Sequence, residues 1–383
     1  MGFFVMFLGI FLSVLFGLHY YVLRRLSRIF EFACPWKMVL LVFFLGTANF
    51  IGTMVAARQV WNEAVRLWWI ATVSYLGVLW IAFWLLLVYA LVQSAANFVR
   101  PIPARASQYL VVIGLLALVS YSVYHARQIQ VKTVEIFSDK VDEPVTIVQL
   151  TDLHLGAINR ENFVERVVAQ TNALEPDLVV ITGDLLDMGA SAEMLQGFNR
   201  LNTPAFFVWG NHDQFLKSGR AEEILAATPI RILKNETVLY NDTLQIIGLD
   251  YLERQPDVEV KPILTSLSPS HEAFTLLLSH APIDFPDIGA HPIDLQLAGH
   301  THSGQIFPFG LIVRSRYPRY RGLYTDGDRA LYVSTGTGTW GPPMRLGTDS
   351  EIIVVRLLPL PDKPEERYLV RQAEQTPSDI QND

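Results

Sequence analysis

The chain has 383 residues, 51% hydrophobic and 17% charged, with a formal net charge of −7. That average hides two unlike parts: residues 1–127 hold nine Lys and Arg against two Asp and Glu, a charge of +7, so residues 128–383 carry −14. So acidic a C-terminal part excludes nucleic acid as the main partner, because polyphosphate binding takes a basic surface. The only cysteine, Cys34, excludes a disulfide framework and a thiolate metal site.

Taken in chain order, the first elements are four apolar runs, Gly2–Leu23, Met38–Ala57, Leu67–Val92 and Tyr109–Tyr124, each long enough to cross a bilayer or close to it. Their interiors carry no Asp, Glu, Lys or Arg, so they read as an anchor rather than a transport path. The first run lacks a basic leading segment and a small-residue cleavage site, which speaks against a removable signal peptide. Trp36, Trp61, Trp68, Trp69, Tyr20 and Tyr21 flank the runs as an interfacial belt would. Loops one and three hold six basic residues (Arg24, Arg25, Arg28, Lys37, Arg100, Arg105). The other side has four (Arg58, Arg66, Arg127, Lys132). The positive-inside rule then puts the C-terminal domain outside the cytoplasm. The expected organisation is four spans over 1–127, a connector over 128–144, an α/β domain over 145–358 and a disordered tail over 359–383.

Beyond residue 144 short apolar runs alternate with turn formers. "VTIVQL" (145–150), "DLVVITG" (177–183), "AFFVWG" (205–210), "LQIIGL" (244–249), "FTLLLS" (274–279) and "IDLQLAG" (293–299) read as buried strands. Glu161–Leu174, Ala190–Leu201 and Arg220–Ala227 have helical spacing. This alternation predicts a layered α/β domain. "ALYVSTG" (330–336) and "EIIVVRLL" (351–358) follow as strands without helices between, so part of the sheet structure is expected to be antiparallel.

Polar residues able to bind metal stand where those strands end: Asp152 and His154, Asp184 and Asp187, Asn211, His212 and Asp213, then His280, then His300 and His302. Singly, each is an ordinary turn former, helix cap or core histidine. Strand ends of an α/β sheet face one crevice, which lets groups 150 residues apart converge. Imidazoles, carboxylates and one amide suit zinc, iron or manganese. A pair of such ions needs one carboxylate shared between them. His271 and His291 lie in Pro-rich loops and are not expected to bind metal.

D-x-H, G-D-x-x-D, G-N-H-D, a lone strand-end His and G-H-x-H, in that order, resemble the calcineurin-like metallophosphoesterase superfamily, and in particular its membrane-associated bacterial branch of YkuE type. The resemblance covers roughly Val145–Leu358. It implies a four-layer α-β-β-α fold with two packed mixed sheets and two divalent metal ions (Mn, Fe or Zn). Asp152, His154 and His302 would hold the first metal, Asn211, His280 and His300 the second, and Asp184 would bridge them. It also implies attack on a phosphoester by a metal-activated water. His212 would act at the substrate phosphate and Asp187 would orient it. Arg345, in "GPPMRLG", is expected to clamp the substrate phosphate with its planar fork, the alternative being a surface arginine that bridges loops. A bilayer-anchored phosphohydrolase in a bacterial inner membrane, acting on a lipid-linked or nucleotide-sugar phosphodiester or pyrophosphate, is the expected function. The rival class is a non-catalytic membrane sensor or scaffold that keeps the fold.

Overall fold

The computed structural model describes residues 2–98, 100–216, 219–252, 259–360 and 368–372. It forms two compact units, Met1–Tyr124 with Gly341–Met344, and His125–Trp340 with Arg345–Asp383.

The first unit is helical: α1 (Gly2–Ile29), α2 (Trp36–Gln59), α3 (Glu63–Ala96) and α4 (Ala104–His125). Sequence punctuation sets their ends. Pro35 precedes α2 in an extended conformation, and Asn62 caps α3 by accepting from Val65 N at 3.0 Å. Among the described residues three helices, α2, α3 and α4, are long and apolar enough to cross a membrane. Four spans are expected from the sequence. The first, Gly2–Leu23, falls in α1, which is not one of the three helices that meet this description among the described residues. Leu15, Val22, Phe43, Leu79, Leu86 and Val111 form the interior of the bundle. Leu91, Ile113 and Leu116 stand more than 60% exposed. Apolar outer faces of this extent match hydrocarbon, not water. Polar groups between the helices pair with one another. Asn49 donates to Thr72 Oγ1 and accepts from Trp68 Nε1, both at 2.7 Å, and His19 Nε2 meets the Tyr75 hydroxyl at 2.6 Å.

Among the described residues the second unit carries thirteen strands: β1 (Ile129–Ser138), β2 (Val145–Leu150), β3 (Leu178–Thr182), β4 (Ala205–Val208), β5 (Arg231–Ile232), β6 (Glu236–Tyr240), β7 (Leu244–Gly248), β8 (Phe274–Leu278), β9 (Leu295–Ala298), β10 (Gly322–Asp326), β11 (Arg329–Val333), β12 (Ser350–Pro359) and β13 (Tyr368–Gln372). One sheet runs β13-β1-β12-β2-β3-β4-β5 and the other β10-β11-β9-β8-β7-β6. Both are mixed. β2, β3, β4 and β5 are parallel while β12 is antiparallel to β2. β7, β8, β9 and β11 are parallel while β6 and β10 run against their neighbours.

Alternation along the strands builds the layers. Ile147, Val180, Phe206, Ile246, Leu276, Leu297 and Ile353, drawn from both sheets, share one core between them. The opposite side chains of the first sheet (Val148, Leu150, Val179, Ile181) pack on Val164, Val167 and Val168 of α5 (Glu161–Ala173). Ile247 and Leu277 of the second pack on Leu264 of α7 (Val260–Leu267) and Ile288 of α8 (Phe285–Ile288). Two shorter helices, α6 (Arg220–Leu225) and α9 (Gly310–Arg316), complete the unit. The second stretch with helical spacing, Ala190–Leu201, instead forms 3-10 turns over Ala192–Arg200.

Two expectations change. Residues 128–144 are not a plain connector. β1 lies in the first sheet and pairs with β12 along all ten of its residues. The tail expected to be disordered contributes β13, antiparallel to β1, while 361–367 and 373–383 lie outside the described residues.

β1 also supplies a half-buried cation. Lys132 Nζ donates to Glu351 Oε2 at 2.7 Å and to Asp349 Oδ2 at 3.0 Å. Glu351 is almost wholly buried, and its other oxygen accepts from Ser334 Oγ and Thr335 N. Removing one partner of a buried pair strands the other. Lys132→Met should therefore lower unfolding stability by about 3 kcal/mol. Glu351→Gln added to it should recover part of the loss, as thermal or denaturant unfolding of the two variants would show.

Candidate metal centre

The ligand-type residues sit on the turns that leave β2, β3, β4, β8 and β9. Their backbones share an unusual conformation: φ is positive at Asp152 (53°), His154 (47°), Asp184 (49°), His300 (72°) and His302 (47°). Non-glycine residues enter this region at a cost of about 1 kcal/mol or more, which the surroundings must hold in place. Here backbone bonds hold it. Asp152 N donates to Gly183 O, and His154 N to Asp184 O, so the first two turns lock to each other.

Among the described residues three groups bring one ligating atom per residue within 4.8 Å of one another: Asp152, His154 and His302; Asp184, His280 and His300; and His154, Asp187 and His212. In the first, His302 Nε2 lies 3.3 Å from Asp152 Oδ1 and 3.1 Å from His154 Nε2. In the second, His280 Nε2 lies 3.2 Å from Asp184 Oδ2, 3.1 Å from His300 Nδ1 and 3.1 Å from Asn211 Oδ1. The same Asp184 oxygen is 3.8 Å from His154 Nε2, so it faces both groups. His280 Nδ1 sits 2.9 Å from the Thr182 carbonyl. That bond requires the proton on Nδ1 in the neutral ring and turns the Nε2 lone pair inward.

Electrostatics shows what such a set lacks. The carboxylates of Asp152, Asp184 and Asp187 are buried or half-buried side by side with imidazoles. Burial raises the pKa of Asp152, but His302, His280 and His154 hold it well below the usual carboxylate range. Burial likewise disfavours a proton on His280, yet Asp184 and Asp152 pull its pKa up to about 10. In the protein alone, then, a proton supplies positive charge that the cluster demands. Lone-pair atoms converging from several sides suit a cation better than protons, and with no sulfur present the set matches Zn, Fe or Mn. The residues fit divalent metal.

His212 stands beside this set. Its Nδ1 is 3.2 Å from Asp187 Oδ1, its backbone N donates to Asp184 Oδ1 at 2.7 Å, and its ring packs against Trp340. Burial lowers its pKa, but the charges of Asp187 and Asp184 outweigh burial and raise it to about 9.

Arg345 is placed otherwise than expected. It is fully buried, with Nη2 donating to Thr335 O and Gly338 O at 2.7 Å and to Gly336 O at 3.2 Å, and lying 3.4 Å from His302 Nδ1. Its Nη2 is spent on carbonyls of the loop after β11 and its Nη1 donates to Thr348 Oγ1 at 3.3 Å, so it braces that loop behind His302 instead of meeting a phosphate. His291 gives its ring nitrogens to Ile288 O and Thr265 Oγ1, and His271 lies exposed ahead of β8.

Two supporting residues escaped the sequence reading. Asp213 is noted there but given no role. Its carboxylate accepts from Asp184 N, Leu186 N and Gly210 N at 2.7–2.9 Å, clamping the turns after β3 and β4 together. Burial and the like charge of Asp184 push its pKa up to about 7 against those bonds. Tyr317, whose hydroxyl is 2.9 Å from His300 Nε2, had no sequence signal, because nothing local ties it to a histidine seventeen residues earlier. Beside His280 opens a cleft of about 640 Å³, lined by Tyr251, Lys261, Asp284, Tyr317 and Arg319 among others.

Fold and centre thus define a two-sheet α/β protein with a buried His/Asp/Asn cluster suited to two cations. The family model for calcineurin-like phosphoesterases matches residues 145–304. An uncharacterized metallophosphoesterase of Helicobacter pylori is 36% identical over 240 residues, 60% of this chain and 64% of its own length. The chain therefore spans just under two thirds of that relative. A transmembrane protein with metallophosphoesterase domain from Danio rerio is 30% identical over 350 residues, 84% of this chain and 71% of its own. The metallophosphoesterase YkuE of Bacillus subtilis, itself uncharacterized, is 32% identical over 227 residues, 55% of this chain and 78% of its own. The chain belongs to the calcineurin-like phosphoesterase family.

Close packing around the ligands gives a test. A Cβ at Gly299 would lie 2.3 Å from Asp152 Oδ2 and 2.2 Å from Thr151 Oγ1. Gly299→Ala should therefore push Asp152 aside and weaken Mn²⁺ binding on the order of tenfold, as expected when a ligand's support is lost. Equilibrium dialysis against the parent protein would measure it, and unchanged affinity would mean that Asp152 is not a ligand.

Proposed function

We propose that the protein is a membrane-anchored, metal-dependent phosphohydrolase that cleaves phosphodiester or pyrophosphate bonds. The observation that carries this reading is the single Asp184 oxygen facing His280 at 3.2 Å and His154 at 3.8 Å, a carboxylate set between two ligand groups. Asp152, His154 and His302 would hold one cation, Asn211, His280 and His300 the other, with Asp184 shared. When bound, two such cations lower the pKa of a water and offset charge on phosphoryl oxygens.

The chain's own groups do the rest. Asp187 holds His212 by Nδ1 and keeps a proton on its ring, which leaves Nε2 as the nitrogen to hand a proton to the departing oxygen. Trp340 packs against that imidazole and limits how it can turn. Tyr317 fixes the ring of His300, and Thr182 that of His280. The cleft beside His280 would take the group attached to the phosphate; Tyr251 and Tyr317 in its lining suit a ring-bearing substituent, while Lys261, Arg316 and Arg319 are offset there by Asp250, Glu259, Asp284 and Asp287.

Anchoring by four spans, with α1 as the first, and an extracytoplasmic catalytic domain complete the reading. The support is the continuous helix over Gly2–Ile29 and the excess of basic residues in loops one and three. Substrates carried in the bilayer, lipid-linked phosphodiesters or pyrophosphates, fit a catalyst held there.

The test uses the full chain in lipid nanodiscs with Mn²⁺ and chromogenic phosphate mono- and diesters. His212→Ala should lower kcat by about 10²–10⁴ with the bound Mn²⁺ count unchanged. Asp187→Asn should lower kcat less and move the acidic-group limb of the pH profile. An active His212→Ala enzyme would remove the proton-donor role, and an inactive parent that binds no metal would overturn the whole reading.

A further inference from the structure

The segment that follows the GHTHSGQ turn, Phe307–Arg321, has a surface unlike the rest of its unit. Phe307, Leu311 and Ile312 are 61%, 63% and 57% exposed, and Phe309 and Trp340 are 40% and 50% exposed. Large apolar side chains gathered in one short stretch and pointed at solvent mark an interaction surface, not scatter. The charge is equally out of place. Residues 128–383 carry −14, yet no Asp or Glu lies between Asp294 and Asp326, and Arg314, Arg316, Arg319 and Arg321 crowd into eight residues there. Arg316 and Arg321 lie over the rings of Tyr317 and Tyr320, while Arg319 pairs with Asp284 at 2.8 Å.

We propose that Phe307–Arg321, with Trp340, is a bilayer-docking surface whose aromatic and aliphatic tips enter the headgroup boundary while its arginines meet anionic lipid phosphates. Charge complementarity selects this occupant. A cationic, tyrosine-bearing rim around apolar tips is the composition of interfacial segments, and arginine stems reach upward while their heads stay with phosphate. A bilayer also suits the rest of the chain, since three helices among the described residues are long and apolar enough to cross one.

The segment is braced for such a role. Phe307 N donates to Leu346 O at 2.8 Å, and Thr301 Oγ1 donates to Tyr320 O at 2.6 Å. Gln305 Nε2 donates to Trp340 O at 2.9 Å, and Tyr317 meets His300 at 2.9 Å. The same side chains therefore join the docking surface to the turn that carries His300 and His302. A phosphoester lifted slightly from the lipid plane would meet the metal centre without leaving the surface. That consequence rests on the proposed phosphohydrolase reading. The docking itself does not.

The test keeps the full chain, with Cys34→Ala so that each variant has one cysteine. Ile312→Cys, and Thr243→Cys at the exposed turn before β7 as control, carry an environment-sensitive nitrobenzoxadiazole label. Each is placed in nanodiscs with about 30% phosphatidylglycerol and nitroxide-bearing lipid. The label at 312 should be quenched at least about threefold more than at 243, and the difference should shrink in pure phosphatidylcholine. Equal quenching at the two positions overturns the docking surface. So does a 312 label that stays unquenched in lipid and responds only to added protein, which would mark a protein-binding face. A second arm measures activity. Leu311→Asp with Ile312→Asp should cut turnover of a lipid-borne phosphodiester about tenfold and leave a water-soluble chromogenic diester unchanged. A parent inactive on both substrates would sink the catalytic reading while the quenching result still stood. Equal loss on both would show that the segment only supports the fold of the site.

Discussion

Much of this structure answers to one electrostatic constraint, the confinement of Asp152, Asp184 and Asp213 in a nearly dry space between strand ends. Like charges this close are tolerated only where positive charge or hydrogen-bond donors face them. Asp213 is met by three backbone N–H groups, Asp152 by the backbone N of His300 and Asp184 by that of His212, and imidazoles face the last two as well. In the protein alone a protonated imidazole such as His280 offsets the carboxylates, a role that a held cation would take over with the imidazoles neutral. The cost is repaid by the cores on either side, where Val148, Leu150, Ile247 and Leu277 lose all exposure.

That constraint explains why the turns are so alike. A side chain leaving a parallel strand in ordinary extended backbone would continue the sheet's alternation and point into one of the cores. A left-handed residue at the strand end reverses the chain's sense and swings the side chain over the open edge. Asp152, His154, Asp184, His300 and His302 all do this. Glycines stand where the swung side chains need room: Gly210 against Asp184, and Gly299 against Asp152. Short parallel strands, left-handed ends and adjacent glycines are one device repeated around the crevice.

This repetition is why so much was legible from the amino-acid order. A strand of four to six apolar residues followed by a polar residue and a glycine is a local pattern, and six such strands were readable with their ends. What was not legible was non-local. β1 alternates polar and apolar residues, and its place in the first sheet depends on pairing with β12 more than two hundred residues away. β13 follows from the same edge. Ala190–Leu201 has helical spacing but closes into 3-10 turns against α5, tertiary packing overriding propensity. Arg345 looked like a phosphate fork because an arginine among glycines can reach outward. Which way it reaches is decided by the carbonyls of Thr335 and Gly338, which no local pattern foretells.

The placing of arginines separates the two faces of the unit's chemistry. Arg345 is sealed behind His302, where its charge helps to balance Asp152 and its fork tightens the loop after β11. The arginines of 314–321 are set on the surface a few residues beyond the same turn. An acidic unit near an anionic lipid surface is repelled over about a Debye length, roughly 10 Å. A tether alone raises the local concentration of lipid-borne groups but leaves that repulsion in place. A local cluster of cations beside the crevice removes it at the one point where approach matters. On that view the net charge of the unit and the charge of its rim serve opposite ends, keeping most of the surface off the lipid and drawing the rim onto it.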